Sequence, residues 1–290
     1  MQEIAPRVYI ETSYAGVTLG AINWSHGLIL IDAPFRPEDA RSWRSSLLNL
    51  GGGVDRMLVN LDGHFDRTLG SRLLDCMVIG HEKLVQIFRS RPVTLKAQMA
   101  ETGSEWELQP TFGSVRWLPP EITFTDRLQV HWDEEQSLIL EARFGPNPAA
   151  IWAILPGDKV VFVGDAVMPH QPAFLANASI PLWLETLNLL LSADYREYII
   201  ISGRGGMVTT SEVKWQIRYL EKAQQLLEEL AARRAAVEET ESLVKPLLAG
   251  ITITPENQEL YRQRLIHGLR QYYTRHYASM RGEAGGDNAS

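Results

Sequence analysis

A single cysteine, Cys76, has no partner within the 290 residues, so an intramolecular disulfide is excluded and a reduced compartment is expected. Long apolar runs are also missing. Stretches such as residues 149–155 and 198–201 fall far short of the roughly 20 residues a bilayer-crossing helix requires, so no transmembrane segment is expected. No block of basic charge occurs: 28 Lys and Arg stand against 35 Asp and Glu, for a formal net charge of -7. Electrostatic capture of nucleic acid or of an anionic membrane is thereby disfavoured. The opening Met1-Gln2-Glu3 has neither the basic nor the apolar region of a leader, and a cytoplasmic protein is expected. What remains is a chain 45% hydrophobic and 22% charged, long enough for one large domain or two small ones with a sizeable core.

Residues 7–11, 16–23 and 27–31 read as hairpin-linked strands. Residues 37–50 carry Trp43, Leu47 and Leu48 at helical spacing and stop at Gly51-Gly52-Gly53. A strand at 56–60, a helix at 69–74, a strand at 76–79 and a helix at 81–89 continue a βαβα rhythm, which favours a layered α/β domain. From residue 105 to 144 the pattern returns to β, with strands expected at 115–118, 122–124, 128–132 and 137–142. A hairpin at 151–155 and 160–163 turns across Pro156-Gly157-Asp158. Helical character begins at Ile180, and residues 198–202 read as a buried strand. Thr209 and Glu212 have capping-box spacing ahead of a helix reaching about Val244. Thr254-Pro255 opens a last helix running to about Met280. The expected organisation is a domain over 1–211, a helical extension over 212–281 and a disordered tail over 282–290.

Three polar clusters follow apolar strands. Asn60-Leu61-Asp62-Gly63-His64-Phe65-Asp66-Arg67 holds potential ligands at alternating positions, which in extended chain point the same way. The ordinary alternative is a solvated turn. Val163-Gly164-Asp165-Ala166 puts a carboxylate at a strand end, and Ser202-Gly203-Arg204-Gly205-Gly206 is a Gly-rich turn. His170 follows Asp165 closely enough to line the same cleft, or it lies on a surface loop. His81 and His131 read as structural, and Cys76 as a small packed hydrophobe. Trp215, Tyr219, Tyr261, Tyr272 and Tyr273 are packing positions of the C-terminal helices, or in part a dimer contact or a lid.

In order and spacing these segments resemble the metallo-β-lactamase superfamily over residues 5–215. The residues that carry the resemblance are the strand 27–31 ending at Asp32, the loop Asp62-Gly63-His64-Phe65-Asp66-Arg67, the strand Phe162-Val163-Gly164-Asp165 and the turn Gly203-Arg204-Gly205. The resemblance implies an α/β fold, a four-layer αβ/βα sandwich with added C-terminal helices, and a metal site between the sheets. The family's ligand loop reads His-x-His-x-Asp-His and its late turn Gly-His-Gly. Here the first metal's positions read Asp62, His64 and Pro146, beside Asn147, and the second metal's read Asp66, Arg67 and Arg204, with Asp165 as the bridging carboxylate.

Two guanidiniums that stay protonated at ordinary pH replace neutral imidazoles, which removes ligands and repels a cation. They also offer planar donors to Asp62, Asp66 and Asp165. The expected cofactor is therefore none, or one divalent ion (Zn, Mn, Fe or Mg) held by Asp62, His64 and Asp165. The favoured function is a binding protein with a degenerate metal site and a small-molecule ligand. The alternative is a single-metal hydrolase of an ester, thioester, lactone or phosphoester, with Asp66 and His64 as catalytic residues and Arg67, Arg204 and His170 on the substrate. A homodimer through the C-terminal helices is the expected self-association.

Overall fold

The computed structural model describes residues 1–51, 53, 55–91, 102–108 and 117–277. Two sheets pack face to face with helices on both outer surfaces. The first sheet has seven strands in chain order: β1 (Gln2–Ala5), β2 (Val8–Glu11), β3 (Leu19–Asn23), β4 (Gly27–Ile31), β5 (Asp55–Val59), β6 (Met77–His81) and β7 (Ile122–Phe124). β1 to β4 are antiparallel, and β4 to β7 are parallel. The parallel steps need crossovers, supplied by helix α1 (Pro37–Leu47), the short helices α2 (Phe65–Thr68) and α3 (Ser71–Leu74), and α4 (Lys83–Ser90).

The second sheet has six strands: β8 (Arg127–Val130), β9 (Leu138–Ala142), β10 (Ile151–Leu155), β11 (Val160–Gly164), β12 (Ile199–Ser202) and β13 (Gly206–Val208). Only β11 and β12 run parallel in it, joined by α5 (Ile180–Leu190). Helices α6 (Thr210–Ala232), α7 (Val244–Leu248) and α8 (Gln258–His276) follow among the described residues.

The layering follows from the strand sequences. β11 reads Val-Val-Phe-Val-Gly and is buried throughout, as a strand covered on both faces must be. Val160 and Phe162 join Ile10, Ile22, Ile31, Val59 and Leu140 between the sheets. Val161 and Val163 point the other way, into a cluster with Trp183 and Leu187 of α5, Leu220 and Leu227 of α6, and Leu265 and Leu269 of α8. On the opposite side, Trp43 and Leu47 of α1 and Leu74 of α3 cover Leu19, Leu28 and Leu58. The expected α/β four-layer sandwich with added C-terminal helices is the fold observed, and those helices share a core with the second sheet.

Several boundaries differ from the expectation. An additional strand, β1, precedes the first one expected. Residues 69–74, expected as one helix, are the end of a two-step path through α2 and α3. Glu105–Leu108, at the start of the region expected to return to β character, is a 3-10 turn, tied by Glu107 Oε1 accepting from Gly103 N at 2.8 Å. The expected strand at 115–118 lies partly outside the described residues, and the expected tail lies wholly outside them.

The helix expected to run unbroken to Val244 stops at Ala232 instead. Arg234 adopts a left-handed conformation (φ 55°), and Ala235 N donates to Leu230 O at 3.0 Å while Arg234 N donates to Ala231 O at 2.9 Å. That paired pattern is a Schellman stop. It turns the chain back so that Leu243, Val244 and Leu247 enter the core, which a straight continuation would have carried away from the body. The start of α6 is as expected: Thr209 Oγ1 accepts from Glu212 N, and Glu212 Oε2 accepts from Thr209 N. Thr254-Pro255 opens a 3-10 turn over Pro255–Asn257, and α8 follows it. Of the C-terminal aromatics, Tyr219, Tyr261, Tyr272 and Tyr273 are buried and Trp215 is half-buried. Among the described residues no helix is long and apolar enough to cross a membrane.

Candidate functional site

Parallel pairing of β4 with β5 and of β11 with β12 brings the chain just beyond all four strands to one end of the sandwich. Asp32 follows β4, Asp62 follows β5, Asp165 follows β11 and Arg204 follows β12. Asp32 sits at φ 59°, a left-handed conformation that Asp tolerates better than most residues, and its Oδ1 accepts from Leu61 N at 2.9 Å. That bond fastens the end of β4 to the start of the polar loop. Asp62 Oδ1 accepts from His64 N at 2.8 Å, forming an Asx turn that leads into α2.

Arg67 projects from α2 into the gap between the sheets and is fully buried. Its Nη2 donates to Asp165 Oδ1, its Nη1 lies 3.4 Å from Asp32 Oδ2, and its Nε lies 3.3 Å from Asp62 Oδ1. The Asp62 contact is an ion pair without hydrogen-bond alignment, since Nε has no acceptor in line with it. One guanidinium thus faces three carboxylates from three separate strand ends. Arg204 lies beside it. Its Nε spans both oxygens of Asp165 at 3.1 and 3.2 Å, its Nη1 donates to Asp66 Oδ2 at 2.9 Å and to Glu105 Oε2 at 2.6 Å, and its Nη2 lies 2.7 Å from His64 Nδ1.

A third arginine enters from α8. Arg264 Nη2 donates to Glu105 Oε1 at 3.1 Å, Nε to Gly103 O at 2.8 Å, and Nη1 to Gln171 Oε1 and Pro172 O, both at 3.2 Å. Its guanidinium carbon lies 3.9 Å from the centre of the Phe174 ring, which also packs against His64. The turn carrying Glu105 is held in place by Trp106 N donating to Asp66 Oδ1 at 2.9 Å.

Five carboxylates (Asp32, Asp62, Asp66, Glu105 and Asp165) therefore face three guanidiniums. Burial raises Asp32 to about 7 despite Arg67, and it raises Asp66 well above the ordinary carboxylate range despite Arg204. The neighbouring charge of Glu105 adds to the rise, while both oxygens of Asp66 accept hydrogen bonds, Oδ2 from Arg204 Nη1 and Oδ1 from Trp106 N. Burial opposes the ionisation of Glu105 too, but Arg204 and Arg264 outweigh it and bring Glu105 down to about 2. Asp165 is held below its ordinary value by Arg204 and Arg67 against the same opposing burial. Burial, followed by the charges of Arg204 and Arg67, pushes His64 well below the usual histidine range. A neutral imidazole can accept from Arg204 through Nδ1 and keep its proton on Nε2, which faces Ser104 Oγ at 3.4 Å.

Charge and space both bear on whether this set can hold a metal. The oxygens of Asp62 and Asp165 that a cation would share already face Arg67, and the outward nitrogen and oxygen of His64 and Asp66 face Arg204. Among the described residues, no group of three or more His, Cys, Asp or Glu is arranged to hold an ion. The residues present do not fit a dinuclear centre of divalent cations, because two permanent positive charges occupy the space between the donors.

Of the residues singled out from sequence, Asp62, His64, Asp66, Arg67, Asp165 and Arg204 are brought together. His170 is not: its side chain is 71% exposed, 4.0 Å from Glu212 and beside Trp215, on the outer surface. Asn147 serves its own turn, accepting from Ala149 N at 2.9 Å. Asp32, Glu105 and Arg264 are members of the network that the sequence did not mark as site residues. For Arg264 a signal existed. It lies three residues after Tyr261 and one before Leu265, on the buried face of α8, where an unpaired charge would be costly.

Gly203 shows how tightly the network is enclosed. A Cβ there would stand 2.6 Å from Arg67 Nη1 and 2.7 Å from Nη2. The guanidinium cannot retreat, since it is bonded on its other sides. Gly203→Ala is expected to lower the unfolding free energy by about 1–3 kcal/mol, the usual cost of overpacking. Urea denaturation checks this, and an unchanged midpoint would mean that Arg67 is not pinned.

No protein-family model matches the chain, and no curated protein matches it. Solved structures do. An αβ/βα sandwich with polar loops converging at one end of two packed sheets is the architecture of the metallo-β-lactamases. A metallo-β-lactamase from Pontibacter korlensis aligns over 76% of this chain and 97% of its own, with 17% identity and a TM-score of 0.61. The stereoselective inverting sec-alkylsulfatase Pisa1 from Pseudomonas sp. aligns over 99% of this chain and 52% of its own, with 15% identity and a TM-score of 0.67. The DIM-1 metallo-β-lactamase aligns over 77% of this chain and 96% of its own, with 16% identity and a TM-score of 0.58. The chain has the metallo-β-lactamase fold. It spans about half the length of the alkylsulfatase chain it matches, and that match runs through the C-terminal helices.

Proposed function

We propose that this protein is a metallo-β-lactamase-fold member whose metal site has degenerated into an ion-pair network, and that it acts as a binding protein without dinuclear hydrolase activity. The observation that carries this reading is the placement of Arg67 among Asp32, Asp62 and Asp165. In a hydrolase of this fold the bound ion would polarise the substrate and lower the pKa of an attacking water. A guanidinium does not coordinate a water and lower its pKa. It has no open coordination position, and its donors are already engaged with carboxylates.

The buried state of the centre bears on how it would act. Arg67 and Arg204 are at most 1% exposed. A general-base role for Asp66 is disfavoured, because both of its oxygens already accept hydrogen bonds, from Arg204 Nη1 and from Trp106 N. His64 is neutral, but its Nδ1 accepts from Arg204 and is not free to take a proton from water. A small-molecule ligand, a cytoplasmic setting and a homodimer through the C-terminal helices belong to the same proposal.

The test is a hydrolysis panel: a p-nitrophenyl ester, a thioester, a lactone and a phosphodiester, each assayed with Zn, Mn, Fe or Mg added. The expected rates equal the buffer background and do not change in His64→Ala. Metal-dependent turnover that His64→Ala abolishes would overturn the proposal in favour of a single-metal hydrolase using Asp62, His64 and Asp165.

A further inference from the structure

Glu105 reaches the arginines from a short 3-10 turn, whereas Asp32, Asp62 and Asp165 reach them from strand ends. We propose that Arg204 and Arg264 form a recognition site for the carboxylate of a small organic acid, and that Glu105 occupies this site as a ligand supplied by the chain itself. The inference rests on the reading of the centre as an ion-pair network, in which Arg204 stays available as a donor.

The geometry is that of a bound carboxylate. Arg204 Nη1 holds Oε2 at 2.6 Å and Arg264 Nη2 holds Oε1 at 3.1 Å, one oxygen to each guanidinium. Each guanidinium is also positioned by groups other than Glu105. Asp165, Asp66 and His64 hold Arg204, while Gln171 and the Pro172 carbonyl hold Arg264. Phe174 lies against both, 4.8 Å from the Arg204 carbon and 3.9 Å from the Arg264 carbon, and gives the site an apolar wall. The pair of donors therefore persists when the carboxylate between them is exchanged.

Direction of access follows from burial. The Arg204 and Arg264 side chains are 1% and 0% exposed, whereas that of Glu105 is 14% exposed. Glu105 is the outer member, so an incoming acid meets it first and takes its place. It belongs to a four-residue 3-10 turn, which Trp106 N ties to Asp66 and Arg264 Nε ties through Gly103 O. An element of that size opens at less cost than a strand or a long helix.

The experiment uses Glu105→Ala, which removes the carboxylate and one methylene and leaves room between the two arginines for the carboxylate end of a short acid, with EDTA present throughout so that no metal takes part. Thermal unfolding is followed against sodium propionate, propionamide, sodium sulfate and sodium chloride at matched ionic strength. The expected result is a saturable rise in Tm with propionate alone, lost in Glu105→Ala/Arg264→Met. An equal rise with propionamide or chloride, a larger one with sulfate, or none with propionate would overturn the proposal.

Should Glu105→Ala fail to fold, Glu105→Gln retains the volume and loses the charge. Trp106 emission, subtracted against Trp106→Phe, then reports displacement of the turn. Propionate is expected to bind this variant about tenfold more tightly than it binds the wild type, a difference of ~1.4 kcal/mol; equal affinity would overturn the proposal. Metal content, measured separately without EDTA, tests the ion-pair reading itself, so the two can fail independently.

Discussion

Arg67→Met lowers the unfolding free energy by about 3–5 kcal/mol, the cost of leaving buried charges without their partner. Methionine fills much of the same volume, so the loss is one of charge more than of packing. Asp165 keeps Arg204, but Asp32 and Asp62 are left facing one another. The pH dependence has a definite sign. Asp32 has a folded pKa of about 7 against an ordinary value of 3.8, with burial the largest cause and Arg67 the main opposing one.

A carboxyl raised in this way binds a proton in the folded state that it has lost in the unfolded state. It therefore subtracts stability as pH rises between the two values. In the wild type that window closes near 7. Without Arg67 the Asp32 and Asp62 values climb further, so the deficit of the variant grows from pH 5 to pH 9. Urea denaturation at pH 5, 7 and 9 reads it. A deficit below about 1 kcal/mol that does not vary with pH would place Arg67 with weak surface ion pairs.

The second large effect concerns metal. Arg67→His/Arg204→His puts two imidazoles beside Asp62, His64, Asp66 and Asp165, and it removes both charges that oppose a cation. Without metal the double variant is less stable than the wild type, because its carboxylates have lost their counter-charges. With zinc it takes up at least one equivalent and regains stability, by about 4 kcal/mol when zinc exceeds Kd a thousandfold. Zinc is expected to leave the unfolding of the wild type unchanged. Thermal unfolding with and without zinc, alongside metal analysis, checks both halves, and an unchanged stoichiometry in the variant would contradict the charge argument.

Much of this centre could be read in the sequence because its members sit at strand ends. Asp62, His64, Asp66 and Arg67 lie on one loop, and Asp165 and Arg204 each follow an apolar strand, so local pattern alone brings them to attention. Glu105 and Arg264 are 159 residues apart and meet only because α8 folds back over the second sheet. Nothing local to either residue encodes that encounter. The fold was legible for the same reason as the loop: apolar strands and capped helices announce themselves through their periods. The stop at Arg234 did not, since Ala-Ala-Arg-Arg-Ala-Ala is a run of helix formers and the left-handed position carries no glycine. What ends α6 is the burial of Leu243, Val244 and Leu247 beyond it, a tertiary gain that overrides local propensity.

Replacement of a metal centre by arginines is tested most directly by elemental analysis of the wild-type protein, purified without chelator and then equilibrated in parallel with Zn, Mn, Fe or Mg. An ion-pair centre retains no stoichiometric metal under any of these conditions. One equivalent or more, lost in His64→Ala, would contradict it.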